Sequence, residues 1–125
     1  MEFTSKQIAD VTVICIAGRI DHKTVKAFEN SLTPFLDEDN PAAGEKIIMD
    51  LGRLDFMTSA GLRMLMIAAK ACGKQHRDIA VAALQPIIKE IFTISRFDLV
   101  LKVFPTVRAA LETLSPAAAS GYDST

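Results

Sequence analysis

Residues 11–17, Val-Thr-Val-Ile-Cys-Ile-Ala, are β-branched and almost continuously apolar, the pattern of a strand buried on both faces. Residues 3–8 before them predict a short first strand, and Asp10 marks the turn between the two. Gly18 ends the second strand. Arg19-Ile20-Asp21-His22-Lys23 then leads into a helix carrying Val25, Phe28 and Leu32 at helical spacing, with Asp21 as its N-cap and Pro34 as its stop. Residues 37–45 are a polar loop containing Pro41 and Gly44. A strand over 46–51, a connector over 52–58 and a helix over 59–73 follow. Next come a strand over 78–83 and a helix opened by Gln85-Pro86 that carries Ile87, Ile88, Ile91 and Phe92. A short strand over 99–104 and a helix from Pro105 through Val107, Leu111 and Leu114 complete the pattern. From Ser115 onward, small and polar residues predict a flexible tail. Strands alternating with helices place the chain in the α/β class, as one domain over residues 1–114 with a tail over 115–125.

Composition narrows the function classes. The chain has 125 residues, half of them apolar, which is enough for one ordinary core. A net charge of −1 supplies no basic excess to hold a phosphate backbone, so nucleic acid is not an expected partner. The first residues do not form a charged start followed by an apolar run, and the richest apolar stretch, 64–69, is far short of a membrane span. These features predict a cytoplasmic protein with no direct membrane insertion. Cys15 and Cys72 sit inside apolar patterns without ligand partners and read as structural thiols.

Catalytic patterns are missing. His22 and His76 are the only histidines and belong to no metal-ligand arrangement. No G-x-S-x-G, P-loop or G-x-G-x-x-G occurs. Asp50 and Asp55 bracket the connector, but sequence does not make two carboxylates converge. The reading is of a non-enzyme with no catalytic residue, no metal site and no cofactor.

Residues 49–62, Met-Asp-Leu-Gly-Arg-Leu-Asp-Phe-Met-Thr-Ser-Ala-Gly-Leu, carry more information. A strand ends, a loop follows, and two hydroxyls, Thr58 and Ser59, stand at a helix start, where either can cap a free N–H. The segment resembles the signature of STAS domains, in which an Asp-Leu strand end precedes Ser-Ser-Gly-Leu or Ser-Ala-Gly-Leu. Three other stretches resemble the same family in order and spacing: 11–21, 82–86 and 97–106. The resemblance, to anti-sigma factor antagonists (anti-anti-sigma factors), covers residues 3–114. It implies a mixed sheet of four to five strands with about four helices, packed mainly on one face.

It further implies that Ser59, two residues before Gly61, is phosphorylated by a partner serine kinase, with Thr58 as the second hydroxyl in place of the family's Asp or Ser. The implied partners are an anti-sigma factor or switch-type kinase and a PP2C-type phosphatase. The other class the resemblance allows is a non-phosphorylated accessory subunit of a membrane lipid or solute transporter. By resemblance, Asp21 helps shape the kinase-docking surface beside its capping role.

The 59–73 helix adds a clue from spacing. Leu62, Leu65, Met66, Ala69 and Gly73 share the face expected to meet the sheet. Met64, Ile67 and Ala71 fall opposite, flanked by Arg63, Lys70 and Lys74. Met64 and Ile67 are either covered by another element or form a docking patch edged by positive charge. The candidate partner-binding set is therefore Asp21, Thr58, Ser59, Gly61, Arg63, Met64, Ile67 and Lys70.

Overall fold

The sheet starts from a hairpin. In a computed structural model describing residues 1–40 and 44–122, β1 (Glu2–Ile8) and β2 (Val11–Ile20) pair antiparallel, with Ile8 opposite Val11. Ala9 turns the chain with φ 52°, as a two-residue hairpin loop demands. β3 (Lys46–Met57), β4 (Asp78–Ala82) and β5 (Lys102–Phe104) add in parallel, giving a five-stranded sheet ordered β1-β2-β3-β4-β5. Residues 41–43 of the expected polar loop lie outside the described residues.

The crossover helices α1 (Val25–Leu32), α2 (Ser59–Lys74) and α3 (Pro86–Ile94) lie against one face. Alternation along the strands sends Ile14, Ile16, Ile47, Met49 and Val81 to that face, where Phe28, Leu65, Ile88 and Phe92 cover them. The other set, Ile8, Val11, Val13 and Ile48, meets α4 (Val107–Leu114). The mixed sheet and the helices expected from sequence are present, with α1–α3 on one face.

The second strand does not end at Gly18 but runs through it to Ile20, and three further expectations are corrected. β3 does not stop at residue 51: it runs to Met57 and pairs with β2 as far as Ile20↔Met57. Register shifts between Cys15 and Ala17 and between Gly18 and Arg19 break the strict alternation, so the segment reads as a connector in sequence. The strand expected over 99–104 begins only at Lys102, after a 3-10 turn over Phe97–Leu99. Phe97 is buried against Phe92, ring centroids 5.2 Å apart, and its carbonyl accepts from the Leu101 N–H, which holds the chain in the turn.

The third correction concerns the tail. Residues Pro116–Tyr122 form α5, with Ala118 and Ala119 buried against the same face as α4. Small side chains allow this helix to lie close to the sheet; a Cβ on Gly121 would stand 3.1 Å from Ile8 Cγ2. The Ser115 hydroxyl donates to Asp10 Oδ1 at 2.6 Å and accepts from the Ala118 N–H, while Asp10 also pairs with the Lys46 ammonium. Lys46 and Ser115 hold the Asp10 carboxyl below its ordinary range. Only 123–125 of the expected tail lie outside the described residues.

Candidate functional site

The start of α2 is anchored from three directions. The Thr58 N–H donates to the Ile20 carbonyl at 2.9 Å, joining the ends of β2 and β3. Thr58 Oγ1 accepts from the Gly61 N–H at 3.4 Å, so Thr58 is the N-cap. Its carbonyl accepts from the Leu62 N–H and begins the helical ladder. Gly61 is buried beneath: a Cβ there would stand 2.7 Å from Met57 Cγ and 2.9 Å from Ile20 Cγ2. This close approach is the physical reason for glycine two residues after the serine.

Ser59 is the first helical residue. It is exposed, and its hydroxyl has no hydrogen-bond partner among the described residues. The two neighbouring hydroxyls therefore divide the work: Thr58 caps and Ser59 faces solvent.

Because Thr58 hangs on Ile20, the turn into α1 begins beside it. Asp21 Oδ1 accepts from the Lys23 and Thr24 N–H groups at 2.9 and 3.2 Å, and Thr24 Oγ1 accepts from the Asp21 N–H in return. Asp21 thus braces the turn ahead of α1, but the expected N-cap position belongs to Thr24; the Lys23 N–H foremost holds the Asp21 carboxyl below the usual range. Arg19 lies 3.9 Å from Asp21 and stacks over the Phe56 ring at 4.9 Å.

Between α1 and α2 runs a groove lined by Val25 and Glu29 on one side and by Ala60, Arg63, Met64 and Ile67 on the other. Ile67 is 46% exposed, as its position opposite the expected core face predicts. Met64 is not: it is 7% exposed and belongs to the main core. The buried stripe of α2 is Gly61, Met64, Leu65, Ala68 and Cys72, about one residue back from the stripe expected, and Gly73 is exposed. α1 lies alongside α2, so burial extends to the Met64 side as well as to the sheet. Met64 is then the floor of the groove and not part of an exposed patch. Lys70 is exposed further along the helix and does not line the groove.

Sequence reasoning missed Val25 and Glu29 as groove residues. Their i, i+4 spacing on the first helix was the available signal, but only the fold turns that face toward α2. Asp50 and Asp55 are occupied locally: Asp50 accepts from the Gly52 N–H at 3.0 Å, and Asp55 from the Gln85 amide at 3.2 Å. Cys15 is half-buried and Cys72 buried, and burial pushes both thiols upward. Among the described residues no group of three or more His, Cys, Asp or Glu side chains comes together to hold a metal, and no helix is long and apolar enough to cross a membrane.

The model of the STAS domain family matches residues 2–110. The chain belongs to the STAS-domain family. Over 109 residues this STAS chain is 28% identical to the Bordetella bronchiseptica protein named as anti-sigma factor antagonist BtrV, covering 87% of this chain and 88% of the relative. The crystal structure of an anti-sigma factor antagonist from Mycobacterium paratuberculosis agrees in fold with a TM-score of 0.80 at 22% identity, covering 90% of this chain and 92% of that one. The Bacillus cell fate determinant SpoIIAA in its phosphorylated form agrees with a TM-score of 0.68 at 18% identity, covering 90% and 99%. The similarity thus includes anti-sigma factor antagonists of the family.

Proposed function

We propose that this STAS domain is a phosphorylation-switched docking module, acting in the cytoplasm, and not a catalyst. With Ser59 unmodified it binds an anti-sigma factor or a related serine kinase of the partner-switching type. Phosphorylation of Ser59 releases that partner, and a PP2C-type phosphatase resets the chain. In the modification, the bond between Ser59 Oγ and the γ-phosphorus of ATP forms as the bond from that phosphorus to the β–γ bridging oxygen breaks. The hydroxyl proton passes to the kinase's base, and ADP leaves. In the reset, water takes the place of Ser59 Oγ and inorganic phosphate departs.

The observation that carries the reading is the division of labour at the α2 start. An exposed serine hydroxyl without a structural duty stands beside a groove that is apolar at Met64 and Ile67 and charged at its edges. Thr58, with its oxygen engaged as a cap, is the less suitable acceptor. The names of the curated relatives and the phosphorylated fold neighbour support the same reading. A phosphoryl group adds nearly two negative charges at the mouth of the groove, which desolvates poorly against an acidic or apolar partner. Arg63 lines that groove, while Gly61 seats the start of α2 on Met57 and Ile20 and Asp21 braces the turn into α1.

The test is direct. After incubation with the cognate kinase, peptide mapping should place phosphate on Ser59. In titrations against the partner, Ser59→Ala should bind like the unmodified chain. The phosphorylated chain should bind at least about tenfold more weakly, a loss of about 1.4 kcal/mol. Ser59→Asp, with one charge, should fall between them. Equal affinity for all four forms would remove the switch, and phosphate on Thr58 alone would move it to the neighbouring hydroxyl.

A further inference from the structure

We infer that Arg63 is the intramolecular receptor of the Ser59 phosphate, so that modification withdraws from the docking groove the cation that lines it. The inference rests on Ser59 being the modified residue and adds the fate of the phosphate once attached. Ser59 and Arg63 are four residues apart on the exposed side of α2. Residues so spaced on a helix have Cβ atoms about 5–6 Å apart. The Cα–Cβ bonds of a helix lean toward its N-terminus, so the long side chain at the later position reaches back over the earlier one. A guanidinium at Arg63 is therefore aimed at the volume where phosphate oxygens on Ser59 would stand. Its planar fork matches two of those oxygens at once.

The surroundings single Arg63 out. Among the described residues its guanidinium has neither a hydrogen bond nor an ion pair. Of the cations on α1 and the turn before it, Arg19 pairs with Asp21 and Lys26 with Glu29, and neither they nor Lys23 line the groove with Arg63. Glu29 on α1, across the groove from Arg63, repels a dianion, and α2 has no acidic residue in its first turn to compete for Arg63. His22 and Lys23, beside Asp21, are the remaining titratable groups of the turn before α1. In the unmodified chain Arg63 lines the groove and is open to a partner. In the modified chain the same guanidinium folds back on the phosphate. Release then has two parts, an added negative charge and a lost positive one.

The test uses full-length chain with phosphoserine installed at position 59 during translation, so it does not depend on any kinase choosing that residue. Phosphorus NMR follows the second ionisation of the phosphate with pH in the parent chain, Arg63→Lys and Arg63→Gln. Loss of Arg63 should raise the midpoint by roughly half a pH unit in Arg63→Gln, with Arg63→Lys between the two. The helix start contributes equally to all three chains, so the difference isolates residue 63. Coincident titration curves for the parent chain and Arg63→Gln would overturn the inference while leaving Ser59 as a phosphorylation site untouched. Kinase mapping that leaves Ser59 unmodified would instead remove the phosphorylation site on which the inference rests.

Discussion

Two serines at two helix starts divide this molecule. Ser115 opens α5 with its hydroxyl consumed: it donates to Asp10, accepts from the Ala118 N–H, and is 5% exposed. Ser59 opens α2 one position inside the helix, with Thr58 doing the capping, and its hydroxyl is exposed and unengaged. The same residue type therefore serves two ends. A buried hydroxyl bonded in both directions fastens an element, and a phosphate in its place would stand against the Asp10 carboxylate. A hydroxyl relieved of capping by its neighbour can be modified without disturbing the helix beneath it.

The largest effect that sharpens this contrast concerns the helix under Ser59. If α2 is a firmly packed base for a changeable surface, Met64→Ala should cost about 2–5 kcal/mol of stability, since it empties a buried position. Ile67→Gln, one turn along and half-exposed, should leave stability within about 0.5 kcal/mol while weakening the partner about tenfold, because burial of such a side chain contributes roughly 1.5–3 kcal/mol. Thermal melts and titrations on the two variants separate packing from docking. Equal losses of melting temperature would mean that the groove wall is core.

A smaller effect compares the serines themselves. Ser115→Ala removes a cap and one partner of the partly exposed Asp10 carboxylate, and should lower stability by about 1 kcal/mol with partner affinity unchanged. Ser59→Ala should change stability by no more than about 0.5 kcal/mol. Chemical denaturation of both variants checks the pair; similar values would erase the distinction between a structural and a free hydroxyl.

Much of this was legible in the sequence, and the misses have causes. The 49–62 segment gave the helix start and the two hydroxyls, because local capping rules and a glycine of fixed spacing act within a few residues; the strand end was misplaced, since β3 runs on to Met57. The role of Gly61 beneath them was only half legible: the motif marks the position, but the contact with Ile20, forty-one residues away in sequence, supplies the reason. For Met64 the sequence left two readings open, and the structure gives the covered one: helical spacing assumes one buried face, whereas α1 and the sheet cover α2 from two directions. Residues 115–122 read as a tail because alanine, serine and glycine carry little hydrophobic signal. They pack because small side chains let α5 approach the sheet, and because Ser115 meets Asp10 across 105 positions of sequence. No local pattern announces a contact of that length.

The smallest expected effect tests the fastening at Ser115 by acid. Asp10 titrates below its ordinary value of 3.8 in the folded chain, chiefly because the Lys46 ammonium and then the Ser115 hydroxyl favour the carboxylate. A carboxyl with a depressed folded pKa contributes stability that is present above the unfolded value and lost as pH falls through the folded one. The contribution is therefore constant at neutral pH and disappears only below about pH 4. Its size should be about 0.2–1 kcal/mol, since the pair is partly solvated. Lys46 is raised above 10.5 by the same contact, so the pair stays intact throughout the neutral range. Tyr122, the only tyrosine, reports on α5: it lies 5.4 Å from Lys6 and 5.6 Å from Arg108, measured to its ring centroid. Its fluorescence should change as pH falls from 5 to 2, and Asp10→Asn should abolish that step. Asp21, also depressed, titrates in the same window, but it belongs to the turn before α1 and should leave the Tyr122 signal unmoved. In the same titration the Gly61 amide resonance of the parent chain and of Asp10→Asn should coincide, because α2 has no acidic residue in its first turn. A Tyr122 transition that survives Asp10→Asn would mean that α5 is fastened by something other than Ser115 and Asp10, and the contrast between the two serines would lose its structural half.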